Sequence, residues 1–199
     1  MCGRYVISEE EDEIIEILRE IDNKYSKDVT AKTGEIFPTN TVPILCIQDE
    51  KSSLKLMKWG FPKWDGKGVI INAKSETAAE KRMFSKPMRQ HRCVILSTGF
   101  YEWSKLDNKS KDKYLFNAPD NPLLYMAGLY TNYTSTEKSE QLTERFVILT
   151  REANTCIKDI HNRMPVILQK DELVHWLKDY DFATDIMSRD NIDLVRKAV

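Results

Sequence analysis

The chain lacks any long hydrophobic run. No apolar stretch approaches the ~18 residues that a membrane-spanning helix needs, so no transmembrane helix is expected. The N-terminus has neither a basic n-region nor an apolar h-region, so no secretory signal is expected and the cytoplasm is the expected location. Glycine and proline are few, seven of each in 199 residues. That leaves little room for linkers and favours one domain over residues 1–199. The cysteines Cys2, Cys46, Cys93 and Cys156 are scattered, with no C-x-x-C, and His91, His161 and His175 form no H-x-x-x-H. Neither a structural zinc site nor, in a reducing compartment, a disulfide is expected. No G-x-G-x-x-G and no P-loop occurs, and no cofactor is expected. Charge of one sign is also missing: 30 Lys and Arg against 31 Asp and Glu give a net −1. This argues against a globally basic nucleic-acid binder, although a local basic cleft remains open.

What is present is a core. Hydrophobic residues make up 41% of the chain and aromatics 10%, too many for a disordered segment. Ser8 and Glu11 have the spacing of a capping box ahead of an apolar stripe, Ile14, Ile15, Leu18 and Ile21, which predicts a helix. Strand-like runs follow at 43–48 and 54–59, around a turn at 49–52, and a buried strand at 69–71 ends at Asn72. Residues 75–83 read as helix, and 93–97, 100–104, 113–117, 123–129, 145–150 and 164–168 as strands. Residues 107–113 and 131–142 read as polar connections, and 171–197 as a helical tail with Asp171 and Asp190 as caps. Cys46 and Cys93 read as buried strand residues. Short turns between strands imply an α+β fold of curved, mainly antiparallel sheets, barrel-like and surrounded by helices.

Five segments carry polar groups that a plain surface does not require. Cys2 follows the initiator methionine, and its small side chain permits removal of Met1. The product has an α-amine (pKa ~8) and a thiol (pKa ~8.5) on one residue. Such an aminothiol condenses with an aldehyde to an imine and then closes a five-membered thiazolidine. Gly3 permits close approach and Arg4 offers a fork for phosphate or carboxylate. Asn72 leaves a strand just before a helix, with Lys74 two residues on; an N-cap is the competing account. Glu102 lies among aromatics in Gly99-Phe100-Tyr101-Glu102-Trp103. Burial there suits it to proton transfer, whereas strand alternation with Tyr101 and Trp103 inward would leave it in water. His161, in Ile160-His161-Asn162-Arg163-Met164-Pro165, titrates near neutrality or is structural. Trp64, in Trp59-Gly60-Phe61-Pro62-Lys63-Trp64, can stack on bases or cover a loop. Arg4, Lys74, Arg82, Arg89, Arg92 and Arg163 fall in or near these segments and form a cationic cleft only if the segments converge.

The ordered set Met1-Cys2-Gly3-Arg4-Tyr5, Pro38-Thr39, Trp59-Gly60, Asn72 to Thr77, Arg92-Cys93, Gly99 to Trp103 and His161 to Val166 resembles the SRAP family, the SOS-response-associated peptidases or abasic-site processing proteins. The resemblance spans nearly the whole chain and rests on the set, not on any one piece. It implies a single SRAP domain that senses abasic sites in single-stranded DNA. It also implies a monomer, nucleoid-associated when bound to DNA, that needs no metal or membrane. Cys2 becomes the crosslinking nucleophile once the protein has removed its own Met1, and Asn72, Glu102 and His161 assist. Arg4, Lys74, Arg82, Trp103, Thr150 and Arg163 are implied to contact DNA or shape the cleft, with Pro38 and Trp64 near a base-stacking wedge. Two departures stand out. Lys74 replaces the family's usual Arg, losing a bidentate fork but keeping the charge, and the Trp64 loop has one tryptophan where some members have two. The competing classes are an N-terminal cysteine amidotransferase, a noncovalent single-strand binder and a protease acting in trans.

Overall fold

The computed structural model describes residues 2–26, 30–104, 112–119, 121–134, 142–189 and 192–199. In chain order, β1 (Tyr5–Ile7), α1 (Asp12–Lys24), β2 (Gly34–Ile36), β3 (Thr41–Gln48), β4 (Lys51–Trp59), β5 (Phe61–Pro62), β6 (Val69–Ile70) and β7 (Asn72–Lys74) form the first half. Two helices, α2 (Ser75–Ala78) and α3 (Arg82–Gln90), lead to β8 (Arg92–Ser97), β9 (Gly99–Trp103), β10 (Lys113–Asn117), β11 (Leu124–Thr134) and β12 (Leu142–Glu152). The strands β13 (Arg163–Pro165) and β14 (Ile167–Leu168), helices α4 (Leu173–Lys178) and α5 (Tyr180–Ile186), and β15 (Val195–Ala198) complete the chain.

β12, β4, β3, β8 and β11 pair in sequence, and a further β11–β12 pairing closes the ring into a five-stranded barrel. Closure removes the free edges of these strands. All ring pairings are antiparallel except β12–β4. β8 is buried along its whole length, and Trp59, Phe146, Ile44 and Ile95 are fully buried with it. β11 and β8 approach closely at Gly128. A Cβ there would lie 2.3 Å from Ile95 Cδ1 and 2.9 Å from the Val147 carbonyl. Gly128→Ala is therefore expected to cost about 1–3 kcal/mol through overpacking, read as a lowered thermal midpoint.

A second sheet, in the order β15-β10-β9-β1-β2, lays the N-terminal strand between β9 and β2. The barrel wall changes partner beside β12. β4 pairs with Arg145 and Phe146, leaves at Gly60 (φ +108°), and β7 takes over at Ile148 to Thr150. Gly60 is required there because its φ is positive and a Cβ would meet Val69 at 2.8 Å. The detour between the two strands is the β5–β6 hairpin, which carries Trp64.

Several expectations needed correction. The predicted capping box does not form. Ser8 Oγ accepts from Glu10 N–H and no side chain caps α1. Residues 75–83 are not one helix; the chain breaks between Ala78 and Arg82. The helical tail ends early, because Asp179 accepts from the Asp181 and Phe182 N–H groups and starts a new helix, and β15 then joins β10 as a strand. Asp171 lies within a short 3-10 turn instead of capping, and Asp190 lies outside the described residues. The 69–71 strand is half-buried. β11 and β12 extend into the predicted 131–142 connection, of which residues 135–141 lie outside the described residues, as do 107–111 of the 107–113 connection. Among the described residues, no helix is long and apolar enough to cross a membrane.

Candidate active site and nucleic-acid interface

The site begins with β1. Tyr5 pairs with Phe100 and Val6 with Gly99, antiparallel, and Tyr101 N–H donates to the Arg4 carbonyl at 3.0 Å. Continued toward the N-terminus, that register brings Gly3 level with Glu102. Cys2 is fully buried. Its carbonyl accepts from Asn72 Nδ2 at 3.0 Å, a bond across 70 residues that ties the N-terminus to β7. The other atom of that amide, Asn72 Oδ1, is buried without a partner among the described residues. Asn72 therefore acts in β7 through its side chain and is not a helix N-cap; that position belongs to Lys74.

On β9, Phe100 and Glu102 share the buried face, while Tyr101 and Trp103 take the half-buried opposite face. Glu102 is only 3% exposed, so the solvent-facing alternative does not hold. Burial pushes its carboxyl up to about 7. Cys2 and Glu102 interact electrostatically, and burial first, then Glu102, holds the Cys2 thiol well above its ordinary value. Cys2, Asn72 and Glu102 are thus one cluster, assembled from three separate segments.

His161 belongs to a separate segment. It closes the turn that starts at Asn154, its N–H donating to the Ile157 carbonyl at 2.9 Å, and it precedes β13. β12 lies between β13 and β7, with Thr150 level with both Pro165 and Lys74. His161 Nδ1 lies 2.9 Å from the Arg163 N–H and 3.2 Å from the Arg163 carbonyl, so it finds a partner there as acceptor or as donor.

Six of the eight residues implied to contact DNA or flank the stacking wedge fall into two groups. Arg4, Pro38 and Trp103 belong to a cation–aromatic patch. Arg4 lies 3.8 Å over the half-exposed Phe37 ring and 3.6 Å from Glu35. Lys113 bonds Glu35 at 3.0 Å and stands over Tyr101 and Trp103, at 3.8 and 5.8 Å from the ring centroids. The reading of the sequence missed Phe37, Glu35 and Lys113; the aromatic immediately before Pro38 was the available signal.

Lys74, Thr150 and Arg163 form the second group. Arg163 Nη1 and Nη2 engage Glu76 at 2.6 and 2.8 Å, and Nη2 also donates to the Thr150 carbonyl. The guanidinium holds Glu76 below the usual carboxylate range. Thr150 is buried, and its hydroxyl reaches the Ala73 carbonyl at 3.5 Å. Thr150 and the terminal nitrogens of Arg163 therefore shape the wall between β7 and β13, while Arg163 Nε is buried without a partner among the described residues. Lys74 is exposed beside them, and Arg82 is exposed at the start of α3. Trp64 stands 96% exposed on its hairpin, held in no packing contact with the core. Arg92 is buried and spent on carbonyls of Met88, Arg89, Trp176 and Leu177, so it takes no part in a cleft. Among the described residues, no group of three His, Cys, Asp or Glu is placed to hold a metal ion.

A closed five-stranded barrel with a second sheet that buries a near-terminal cysteine against a carboxylate and an amide defines one class of single-domain α+β protein. The chain belongs to the SOS response associated peptidase (SRAP) family, whose family model matches residues 1–193. It is similar to the abasic site processing protein YoqW of Bacillus subtilis, 36% identical over 188 residues that cover 89% of this chain and 80% of that one. It is likewise similar to the abasic site processing protein YedK of Escherichia coli, 32% identical over 183 residues covering 89% and 80%. Among solved structures, a protein from Bacteroides thetaiotaomicron shares the fold at TM-score 0.81 and 22% identity, over 100% of this chain and 92% of that one. A phage-related protein from Bordetella bronchiseptica matches at TM-score 0.75 and 25% identity, over 100% and 94%.

Proposed function

We propose that this protein senses abasic sites in single-stranded DNA and captures them as a thiazolidine through Cys2, after removing its own Met1. The observation that carries this reading is the cluster in which Asn72 holds the Cys2 carbonyl while Cys2 and Glu102 interact electrostatically in a buried setting. The abasic site processing relatives support the choice of lesion.

The raised thiol supports an amine-first order of events. A thiol held protonated by burial does not attack first; the α-amine of the mature Cys2 does. It adds to the ring-opened sugar aldehyde to give a carbinolamine, which loses water to an imine. Glu102, poised to exchange protons near neutrality, takes and returns them in both steps. His161 assists ring opening as a proton donor to the sugar oxygen. The thiol then adds across the C=N bond; sulfur bonds to carbon and its proton ends on nitrogen, for a net loss of one water. Closure matters because a bare imine permits β-elimination and strand breakage. This amine-first order also favours aldehyde capture over an amidotransferase, which needs a ready thiolate.

The protein would act as a monomer in the DNA damage response, bound to the nucleoid through the strand. Trp64 would supply base stacking. Trp64→Ala is expected to weaken binding of undamaged single-stranded DNA roughly ten- to hundredfold, the ~1–3 kcal/mol of one base–aromatic stack, with an unchanged melting temperature because the ring is exposed. Fluorescence anisotropy and a thermal melt measure the two. The direct test of the reading is a denaturing gel of the Met1-processed protein with an abasic single-stranded oligonucleotide. A denaturation-resistant adduct is expected, and its absence would refute covalent capture.

A further inference from the structure

The carbonyls of Cys2, Gly3 and Arg4 are each held by a different donor. Asn72 Nδ2 donates to Cys2 at 3.0 Å, Arg4 Nη1 to Gly3 at 3.0 Å, and the Tyr101 N–H to Arg4 at 3.0 Å. The Arg4 carbonyl also accepts from the Cys2 thiol at 3.7 Å. Asn72 and Tyr101 are fixed by β7 and β9. The donor to Gly3 is different, a long side chain that curls back onto its own neighbour. A free arginine samples many rotamers, so this bond lasts only if the guanidinium is held in place. Two groups hold it. Glu35 lies 3.6 Å from Nε, but it also serves Lys113 at 3.0 Å. The guanidinium carbon stands 3.8 Å from the centroid of the Phe37 ring, a close cation–π contact.

A rigid turn places Phe37. The Asn40 N–H donates to the Phe37 carbonyl at 3.0 Å, and Asn40 Oδ1 accepts from the Phe37 N–H at 2.9 Å, so one residue closes the turn from both sides. Pro38 fixes a second backbone angle. Thr39 has φ +74°, a left-handed conformation that is costly for a β-branched residue. Its N–H donates to the Trp59 carbonyl at 2.9 Å, which ties the turn to the end of β4. Strain of this kind persists only where the surrounding structure imposes it. The product is an aromatic ring that is 41% exposed, so burial alone does not account for its place.

We propose that Phe37 is a positioning residue for capture. It holds Arg4 on the Gly3 carbonyl and so fixes the backbone that carries the Cys2 amine and thiol. It acts through Arg4 and touches no substrate. The inference rests on the aldehyde-capture reading above and adds Phe37, which lies outside the motifs of the resemblance.

The test uses the Met1-processed full chain with two aldehydes, acetaldehyde and an abasic single-stranded oligonucleotide. Acetaldehyde has no phosphate and no base, so its capture reads the aminothiol alone, as a mass gain of one aldehyde less one water. Phe37→Leu removes the π face and keeps an apolar side chain, whereas Phe37→Tyr keeps the ring. Phe37→Leu is expected to capture acetaldehyde roughly two- to fivefold more slowly, the factor that one exposed cation–π contact allows. With abasic DNA its maximal rate should fall by the same factor at an unchanged half-saturating concentration. Phe37→Tyr should match wild type in both assays, and the melting temperatures of all three should agree because the ring is half-exposed. Wild-type rates in Phe37→Leu overturn the proposal. So does a higher half-saturating concentration at an unchanged maximal rate, which would make Phe37 a DNA contact, or an equal loss in Phe37→Tyr with a lowered melting temperature, which would make it merely structural. The failures remain separate: wild type that captures acetaldehyde but gives no DNA adduct refutes the abasic-site reading and leaves the positioning role to the acetaldehyde rates.

Discussion

Cys2→Ser is expected to eliminate the proposed denaturation-resistant adduct with abasic single-stranded DNA. The variant keeps the α-amine, so an imine is still expected to form and to be trapped by borohydride. It lacks the sulfur that closes the ring, so without borohydride the complex dissociates or the strand breaks. Cys2 is fully buried, and a hydroxyl in its place adds a desolvation penalty of ~1–3 kcal/mol. A thermal melt therefore accompanies the gel, and Cys2→Ala, which keeps the amine and the apolar surroundings, serves as the second variant. Both are expected to give reducible but not stable adducts. An adduct of wild-type durability in either would rule out the aminothiol mechanism.

Glu102→Gln is expected to slow adduct formation by about 10²–10⁴-fold, the usual contribution of a positioned proton-transfer group. It is also expected to stabilise the protein at high pH. Burial raises the folded-state carboxyl from 4.5 to about 7. Below the unfolded value both states hold the proton, and Glu102 contributes no pH dependence. Between about 4.5 and 7 the unfolded chain releases its proton and the folded chain keeps it, so stability falls as pH rises. Above 7 the loss is complete, at about 3 kcal/mol from 2.5 pH units. Glutamine carries no such charge. Melts should therefore give similar values for the two proteins at pH 4 and a higher one for Glu102→Gln at pH 8, several degrees for a chain of this size. A limb near pH 7 in the wild-type rate profile should disappear in the variant. A variant that loses stability at pH 8 together with activity would instead assign Glu102 a purely structural role.

The readable part of the fold was the part written by local pattern. β3, β4, β8 and β9 have the runs and turn residues of buried strands, and α1 has its apolar stripe. β1 and β2 have three residues each, too few for a period to appear, and only their pairing with β9 and with each other makes them strands. The predicted helical tail, 171–197, overlaps β15, where four backbone pairings with β10 override the helical pattern. The break between α4 and α5 turns on a single carboxylate, Asp179, whose capping bonds outweigh helix continuity.

The candidate site divides in the same way. Residue types and their order along the chain named Cys2, Asn72, Glu102 and His161, because amine, thiol, amide, carboxylate and imidazole chemistry belongs to the side chains themselves. Orientation was not legible. Alternation permits Glu102 to face either way, and only the packing of β9 against the barrel put it inside and raised its pKa. Nor does sequence separation say that Arg163 is spent on Glu76, 87 residues away. The sequence by itself determined the reactive groups. The tertiary structure decided which of them meet, because burial, charge pairing and distance arise between segments that only the barrel and the second sheet together bring into contact.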